Sequence, residues 1–516
     1  MILSLDSGTT AAKAALISAD RTVRGRGESR IPTLTGPAGS VEQDPDQWIR
    51  AARSAIADAH ADARASTPEP PPERVTALAL TGQMQDLILL DADGEPLRPA
   101  ILYADTRAAA HAERLRRDLP AWECTTGNLQ DATSTAAQWL RLTETESATI
   151  RAARTVLFGP TGYLAHRLGL GAHVDRTTAS TTGLFDLAAG VWADGILTAI
   201  GLDPALLPRL IGPDPGAANV GRIDTRAADL LGVPAGVPVV LAPGDAGAAT
   251  LGTIGDQPGR AYVSLGTSGW AAQIVASADG PTSMPGGTRA DVPAGASHQL
   301  SLPVPVDPRA RLRISAPLAA GDAAAWSART FLGGIPLADA DARLDARERE
   351  RGRGPSGLLA LPSIHGERFP VRDETLRAAV VGMGASTDGV DIHRAVLEGV
   401  AFALAAGLDD PAAGDPAELA VIGGGAASAP WLRILADVTG RAVRTVGDAP
   451  VDAPLIGAAV TAFRALGIDA ASLTPLAARP GGTTIGPDPA AHTAYRALAP
   501  RHRALYDVLG QAALGG

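Results

Sequence analysis

Two apolar segments that flank a Gly-Thr-Thr turn open the chain, and this pattern constrains the fold most strongly. Met1–Leu5 and Ala14–Ser18 have the composition of β-strands on either side of the turn in "DSGTT". Beyond them, strand-like apolar runs alternate with amphipathic segments such as Asp46–Ala63, whose apolar residues recur at helical spacing. Alternating strands and helices predict an α/β fold.

A second unit of the same kind begins about 260 residues later. The segment Ala261–Gly269, "AYVSLGTSG", again places a short apolar strand before a Gly-Thr-Ser turn. It follows the loop Gly252–Arg260, which is rich in turn-forming residues. Because 516 residues exceed the size at which a single core keeps growing, we expect two domains of related architecture, residues 1–255 and 256–516.

Composition excludes several classes of protein. The formal net charge is −10 and the arginines are scattered, which argues against nucleic-acid binding and against a polybasic membrane patch. Cys124 is the only cysteine, so an internal disulfide and a cysteine-rich zinc site are impossible, and we expect a buried, unreactive thiol. The first residues lack the features of a signal peptide, and no apolar run is long enough to span a bilayer. We therefore expect a cytoplasmic protein.

The first turn has the residue types that bind phosphate. Gly8 allows close approach of the backbone to a ligand, and successive N–H groups with the Thr9 and Thr10 hydroxyls can surround an anion. Asp6, at the strand end, could hold a hydrated Mg²⁺, and Lys13 could supply a mobile positive charge. An ordinary hairpin whose Asp and Gly serve only the turn is the alternative interpretation.

Two further glycine-containing turns suit a nucleotide. The turn with Gly266, Thr267 and Ser268 resembles the first but lacks an acid at the strand end, which predicts a phosphate cradle without a metal anchor. Gly423–Gly425 separates a strand from a helix, an arrangement in which flat backbone and a helix N-terminus accommodate a ligand. The glycine spacing is not that of a dinucleotide-binding fold.

Asp245 is the candidate general base. It follows a buried-looking strand in Val237–Gly252 and lies in a turn rich in Gly and Ala, where a carboxylate could accept a hydroxyl proton. From the residues alone, a helix N-cap is the more common role for such an aspartate.

Taken together, these segments resemble the FGGY family of carbohydrate kinases, and the xylulokinase branch in particular. The segment Ala378–Val400 is similar to the C-terminal signature of the family. Five other segments look like xylulokinase motifs: Glu42–Trp48, Gly82–Met84, Leu97–Arg107, His365–Pro370 and Gly423–Asp437. The resemblance extends over nearly the whole chain, with the motifs in the same order.

The resemblance implies a fold and a reaction. It implies two actin-like (ribonuclease H-like) domains around a central catalytic cleft, with the sugar bound mainly by the first and ATP mainly by the second. It also implies ATP and Mg²⁺ as cofactors and a small sugar or polyol as substrate. Family precedent permits a homodimer.

Matching positions carry the implied roles. Asp6 matches the Mg²⁺-associated acid, and Asp245 matches the catalytic base, which also contacts the substrate. The implied nucleotide contacts are Gly8, Thr9, Thr10, Lys13, Gly266, Thr267, Ser268, Gly423, Gly424, Gly425 and Ser428. The implied substrate contacts besides Asp245 are Gln83, Met84, Gln85 and Tyr103.

Lys13 is the only lysine among the 45 basic residues, at a position where the family carries a basic residue. We hypothesise that it contacts ATP phosphate or supports the loop. The alternative is a chance survivor on the solvent face of the second strand.

Three positions depart from the xylulokinase pattern. Gly-Gln-Met-His-Gly is "GQMQD" here, so Gln85 replaces the sugar-contacting histidine. Ala246 and Ala104 stand where the family has asparagine. Because the resemblance implies that these positions face the substrate, we predict a kinase for a ketopentose or related polyol, with D-xylulose the leading candidate and ribulose or a sugar alcohol as alternatives.

Other classes fit less well. A catalytically weak, sugar-binding regulatory protein of the same fold would have lost Asp6 or Asp245, and both are present. A filament-forming actin-like protein would need neither Asp245 nor the segment Ala378–Val400.

Overall fold

Two large mixed sheets organise the chain, one in each half. The computed structural model describes residues 1–20, 22–66, 74–276, 299–304, 307–408, 418–446, 453–468, 475–478 and 481–511.

The first half contains fifteen strands and ten helices among these residues. In chain order the strands are β1 (Ile2–Ser7), β2 (Ala11–Ile17), β3 (Val23–Arg30), β4 (Leu34–Gly36), β5 (Ser40–Gln43), β6 (Ala77–Gly82), β7 (Leu87–Leu90), β8 (Ala100–Ile101), β9 (Thr155–Phe158), β10 (His173–Val174), β11 (Phe185–Asp186), β12 (Val191–Trp192), β13 (Arg209–Leu210), β14 (Asn219–Arg222) and β15 (Pro238–Leu241). The helices are α1 (Pro45–Ser66), α2 (Ala109–Asp118), α3 (Trp122–Thr126), α4 (Thr135–Thr145), α5 (Ser147–Ala152), α6 (Pro160–Arg167), α7 (Arg176–Thr181), α8 (Asp194–Ile200), α9 (Ala228–Leu231) and α10 (Asp245–Thr253).

The second half adds nine strands and six helices within the described residues. The strands are β16 (Ala261–Leu265), β17 (Gly269–Ala276), β18 (Gln299–Val304), β19 (Asp307–Ser315), β20 (Leu359–Leu361), β21 (Ala379–Val381), β22 (Leu419–Ile422), β23 (Val443–Thr445) and β24 (Thr484–Ile485). The helices are α11 (Gly321–Phe331), α12 (Leu337–Arg351), α13 (Gly389–Ala405), α14 (Ala429–Thr439), α15 (Ala453–Ala465) and α16 (Pro489–Gln511).

The two main sheets share one topology. The first has the order β14-β15-β6-β1-β2-β3, and the second has the order β18-β19-β17-β16-β22-β23-β24. In the first, β1, β2 and β3 form an antiparallel meander, and β6 and β15 run parallel to β1. In the second, β16, β17 and β19 are antiparallel neighbours in the same positions, with β18 inserted between β17 and β19 in the chain and paired on the outer side of β19, and β22 and β23 run parallel to β16. The predicted α/β fold and the relation between the two strand–turn units are confirmed.

A five-stranded sheet, β4-β5-β8-β7-β9, extends the first half. One face of this sheet packs against helices of the first half in a separate core that includes Trp122, Trp139 and Phe158. The segment with Gln85 follows β6, which pairs with β1, and the segment with Tyr103 follows β8.

Helices α10 and α15 join the halves. Gly252 of α10 lies against Ala453, and Gly457 of α15 lies against Ala248, where a Cβ atom would come within 1.9 Å of the Ala248 carbonyl oxygen. Helix α15 also packs on β1 and β6, so a helix of the second half completes the core of the first. The boundary at residues 255 and 256 falls between α10 and β16 and remains a prediction.

Two other expectations have outcomes in the fold. Cys124, on α3, is exposed, so the prediction of a buried thiol was wrong. Within the described ranges, no helix combines the length and apolar character needed to cross a membrane.

Candidate active site

The first predicted phosphate turn joins β1 to β2. The Gly8 amide donates a hydrogen bond to the Ala11 carbonyl oxygen at 3.1 Å, which closes the turn. Gly8 and Thr9 are half-buried and Thr10 is exposed. The Thr9 hydroxyl donates to Gln83 Oε1 at 2.8 Å, and Gln43 Nε2 donates to the Thr9 carbonyl oxygen at 2.6 Å. Hydrogen bonds with Gln83 and Gln43 therefore hold the turn through Thr9, whereas Thr10 is exposed to solvent.

Asp6 and Lys13 lie directly opposite each other on β1 and β2, and Lys13 lies opposite Glu28 of β3. Residues opposite each other across strands project from one face of a sheet, so the three form a row of alternating charge. Lys13 is half-buried in this row rather than on a fully solvated face. Contact of Lys13 with phosphate remains a prediction.

The carboxylate of Asp6 beside the turn suits a magnesium ion that is held chiefly by water and phosphate. Among the described residues, no group of three or more His, Cys, Asp or Glu side chains is arranged to hold a metal. Mg²⁺ retains several waters and is commonly bound through one or two carboxylates plus substrate phosphates. Asp6, half-buried at the end of β1 beside the turn, fits that requirement.

The second turn and the glycine run meet in the other half. Gly423 has a φ of 89°, and a Cβ atom there would lie 2.8 Å from the Leu265 carbonyl oxygen, immediately before Gly266. Only glycine allows this contact without strain. The exposed residues along this surface are Thr267, Ser268, Gly423 and Gly424, while Gly266 and Gly425 are half-buried.

Ser428 has a local role that the sequence did not show. It is the N-cap of α14, where its side chain accepts a hydrogen bond from the Trp431 amide, and its hydroxyl donates to Asp341 Oδ1 at 2.7 Å. A contact between Ser428 and adenosine remains a prediction.

Asp245 is the first residue of α10 and lies in an acidic, desolvated environment. The Ala246 amide donates to Asp245 Oδ1 at 2.7 Å. Burial and, to a lesser extent, the Asp175 carboxylate raise the pKa of Asp245 to about 6, against the stabilising Ala246 hydrogen bond. A carboxyl group with such a pKa is ionised near neutral pH yet basic enough to accept a proton. The N-cap alternative is not what the structure shows, because Gly244 occupies the N-cap position.

Met84 and Tyr262 approach the base from two sides. Met84 packs so closely on Gly244 that a Cβ atom at that glycine would lie 2.4 Å from the Met84 sulfur. Tyr262, on β16 of the second half, interacts electrostatically with Asp245, and burial is the main cause that raises the pKa of Tyr262 to about 12. Asp245 thus lies where the two halves meet.

Gln83 bridges the first turn to the core. It is buried, its Oε1 accepts from Thr9, and its Nε2 donates to Gln43 Oε1 at 3.0 Å. Gln43 in turn accepts from the Trp48 indole at 2.8 Å. The structure gives Gln83 this bridging role, and direct contact with substrate remains a prediction.

Gln85 directs its side chain away from the turn. Its backbone has a φ of 75°, unusual for a residue other than glycine, and its Nε2 donates to the Thr133 carbonyl oxygen at 2.8 Å. The Gln85 carbonyl oxygen accepts from the Thr135 hydroxyl at 2.9 Å. The residue that replaces the family histidine is therefore engaged with the first half itself.

Tyr103 lies at the edge of the cleft, 42% exposed. Its hydroxyl oxygen lies 3.3 Å from the Thr9 hydroxyl oxygen, within hydrogen-bond distance. Arg368 of the second half interacts electrostatically with Tyr103, and burial lowers the pKa of that guanidinium. Four residues after Arg368, Arg372 forms an ion pair with Asp131 of the first half at 2.7 Å. Residues of both halves therefore surround this side of the site.

Sequence reasoning missed three buried polar residues. Asp175 caps α7 and also accepts a hydrogen bond from the Gly244 amide at 3.1 Å. Gln43 holds the first turn, and Asp86 accepts from the Tyr103 amide at 3.2 Å. The capping pattern Asp-x-x-Thr after β10 was a usable signal for Asp175. Gln43 lies inside the matched segment Glu42–Trp48, and Asp86 inside the departure "GQMQD".

Comparison with known proteins identifies the family. Residues 1–252 match the sequence model of the FGGY family of carbohydrate kinases, N-terminal domain, and residues 297–466 match that of the C-terminal domain. The chain belongs to the FGGY family of carbohydrate kinases. The predicted resemblance and the two-domain actin-like fold are confirmed.

Relatives of this FGGY kinase include several xylulose kinases. One from Streptomyces rubiginosus is 32% identical over 86% of this chain and 84% of that protein. One from Escherichia coli (strain K12) is 31% identical over 99% of each. The crystal structure of a xyloylose kinase from Brucella ovis superposes with a TM-score of 0.82 at 29% identity, over 99% of both chains. Glycerol kinases match as well, at 29% or 30% identity.

Membership establishes the class of reaction. This FGGY kinase is an ATP-dependent sugar kinase with a small-molecule sugar substrate, and it uses ATP with Mg²⁺. The turn residues and Asp6 are chemically suited to that nucleotide and cation, which supply the transferable phosphoryl group and neutralise its charge.

Proposed function

We propose that this FGGY kinase phosphorylates a primary hydroxyl of a ketopentose or related polyol, with D-xylulose the leading candidate. The observation that carries the proposal is Asp245, an ionisable carboxylate at the start of α10 that burial holds at a pKa of about 6. Support for D-xylulose comes from the xylulose kinases among the relatives at 30% identity or more.

In the proposed mechanism, Asp245 accepts the proton of the attacking hydroxyl. Its carboxylate is oriented by the Ala246 amide, and the Gly244 amide that precedes it is held by Asp175. Thr10, Thr267 and Ser268 present hydroxyls, and the turns present N–H groups, toward the phosphates. Closure of the two halves would exclude water, which otherwise competes as the acceptor.

The substrate side favours a close relative of D-xylulose without fixing the sugar. Gln85 offers an amide where the xylulokinase pattern has histidine, and that amide bonds to Thr133. Ala246 and Ala104 offer no side-chain hydrogen bond. A sugar bound here has fewer side-chain partners than in the xylulokinase pattern, so ribulose and sugar alcohols stay within the proposal.

The experiment is ADP release with Mg-ATP across D- and L-xylulose, D- and L-ribulose, xylitol, arabinitol, ribitol, erythritol, glycerol and gluconate. We expect one pentose or pentitol to stand far above the background. Asp245→Asn should lower kcat by about 10²- to 10⁴-fold with an unchanged KM for ATP, because it removes only proton acceptance. Asp93→Asn, on an exposed loop, is the matched control.

Three outcomes would contradict the proposal. Turnover of gluconate alone would overturn the substrate class, and turnover of glycerol alone would overturn D-xylulose as the leading candidate. An Asp245→Asn variant with most of the wild-type turnover would overturn the base assignment. If ATP binds but no compound in the panel reacts, an unusual substrate or the sugar-binding regulatory alternative replaces the proposed ketopentose or polyol.

We also propose that the kinase works in the cytoplasm, since its single, exposed cysteine suits a reducing compartment. A homodimer, which family precedent permits, is tested by light scattering of the purified chain.

A further inference from the structure

Asp86 is a buried acid beside the proposed base that the proposed function does not use. It follows Gln85, lies just before β7, and is 0% exposed. The xylulokinase pattern has glycine at this position, so the carboxyl group is a feature of this chain. Burying a carboxyl group costs free energy unless its oxygens have hydrogen-bond partners, so the presence of Asp86 at this buried position needs a reason.

Only one oxygen of Asp86 has a partner in the part of the chain that the structure describes. The Tyr103 amide donates to Oδ1 at 3.2 Å. Oδ2 is buried and has no hydrogen-bond partner among the described residues. The Asp86 backbone is separately fixed, because its carbonyl oxygen accepts from the Gly159 amide at 3.2 Å. The side chain therefore anchors Tyr103 and leaves a second oxygen unpaired.

The surroundings of this carboxyl group contain acids rather than cations. Asp245 interacts electrostatically with Asp86, and Asp175 and Tyr262 interact electrostatically with Asp245. No described Arg, Lys or His is hydrogen-bonded or ion-paired to Asp86. Burial first, and then the charge of Asp245, raise the pKa of Asp86 well above its ordinary value, against the Tyr103 hydrogen bond. Two such neighbouring carboxyl groups do not ionise together readily.

We propose that Asp86 is a positioning residue for phosphoryl transfer, which anchors Tyr103 at the substrate edge and stays neutral so that Asp245 carries the only charge of the pair. This inference rests on the proposed function, in which Asp245 is the base. Ionisation of Asp86 would place a second negative charge beside Asp245, where the base must meet a hydroxyl close to a charged phosphoryl donor.

Asp86→Asn and Asp86→Gly separate the two parts of the proposal. Asn keeps an oxygen for the Tyr103 amide and cannot ionise, whereas Gly, the residue of the xylulokinase pattern, removes both the anchor and the charge. Asp93→Asn, on an exposed loop, controls for the loss of one acid.

The first measurement is the pH dependence of kcat/KM for the best sugar of the panel. The kcat/KM of wild type should fall at alkaline pH as Asp86 ionises. At the highest pH, the kcat/KM of Asp86→Asn should exceed that of wild type by about tenfold or more. Asp86→Gly should raise the KM for the sugar by about tenfold while the KM for ATP stays within about twofold, because one anchoring hydrogen bond is lost. An alkaline limb that persists in Asp86→Asn, or an unchanged sugar KM in Asp86→Gly, overturns the proposal.

The second measurement needs no substrate. Because the folded state binds the Asp86 proton more tightly than the unfolded chain does, this group lowers stability as the pH rises above the ordinary carboxyl value. Asp86→Asn should therefore have a higher Tm than wild type, by a margin that grows as the pH rises above the ordinary carboxyl value. A margin that does not change with pH overturns the neutral-partner role. If no sugar reacts with wild type, the proposed function fails while this result still decides the state of Asp86.

Discussion

The Gly244 amide donates a hydrogen bond to Asp175 Oδ1 at 3.1 Å, which fixes the residue immediately before Asp245. Asp175 is buried, caps α7 through the Thr178 amide, and accepts from the Thr178 hydroxyl at 2.6 Å. One acid thus holds the start of α10 to the start of α7. After burial, which is the main cause, the charge of the same acid also raises the pKa of Asp245, so the position of the proposed base and part of its basicity depend on one side chain.

Asp175→Asn should shift the acid limb of kcat/KM to lower pH. Asparagine is a good N-cap and keeps an oxygen for the Gly244 amide, but it removes the negative charge that raises the pKa of Asp245. The wild-type limb is expected near pH 6, where protonation of Asp245 abolishes the base. A pH–rate profile for each protein measures the shift, which should be up to about one unit. Limbs that coincide would show that Asp175 does not influence the base.

Arg372→Gln should weaken the kinase by loosening the contact between the halves. Arg372 pairs with Asp131 at 2.7 Å, and nearby Asn128 exchanges two hydrogen bonds with the Ser301 backbone across the same boundary. The pair is partly exposed, so we expect a loss in stability of about 1 kcal/mol or less. The kcat/KM for sugar should fall about threefold, and high salt should bring wild type closer to the variant because it screens the pair.

Arg117→Gln is the matched control for that prediction, since Arg117 is largely exposed and pairs only with its neighbour Asp118 in the described residues. Steady-state kinetics at low and high salt check both variants. Equal effects of the two substitutions would mean that the contact between Asp131 and Arg372 has no special role.

Lys13→Ala should raise the KM for ATP by about tenfold if the lysine contacts phosphate, whereas Lys13→Arg should recover part of that loss. The reason is the position of Lys13 on β2, opposite Asp6 and close to the turn that carries Gly8. Initial-rate kinetics with varied ATP and a fixed sugar provide the measurement. Unchanged ATP affinity and turnover in Lys13→Ala would leave the chance-survivor alternative as the explanation.

Local patterns predicted the elements whose determinants lie close together in sequence. The helix over Asp46–Ala63 is confirmed as Pro45–Ser66, because its apolar spacing needs no distant partner. The two strand–turn units are confirmed for the same reason. Gln83 and Thr9 are 74 residues apart, and Asp175 and Gly244 are 69 apart, so their hydrogen bonds depend on the tertiary fold. No local pattern contains that information.

Helix α15 shows the same limit at the level of domains. Its sequence belongs to the second half, yet it packs on β1 and β6, and Gly252 and Gly457 allow it to cross α10 closely. The glycines look unremarkable in the sequence, since only the partner helix, about 200 residues away, makes their small size necessary.

Gly457→Ala should therefore destabilise the protein and slow the reaction together. A Cβ atom at Gly457 would lie 1.9 Å from the Ala248 carbonyl oxygen, so α10 and α15 must move apart. Overpacking of this kind costs about 1–3 kcal/mol, and the moved helix begins with Asp245. Thermal unfolding and kcat are the measurements.

Gly195→Ala, on α8 with open space around it, is the control and should be neutral or stabilising by up to about 1 kcal/mol. A Gly457→Ala variant as stable and as active as Gly195→Ala would show that the crossing tolerates a side chain and does not position the base.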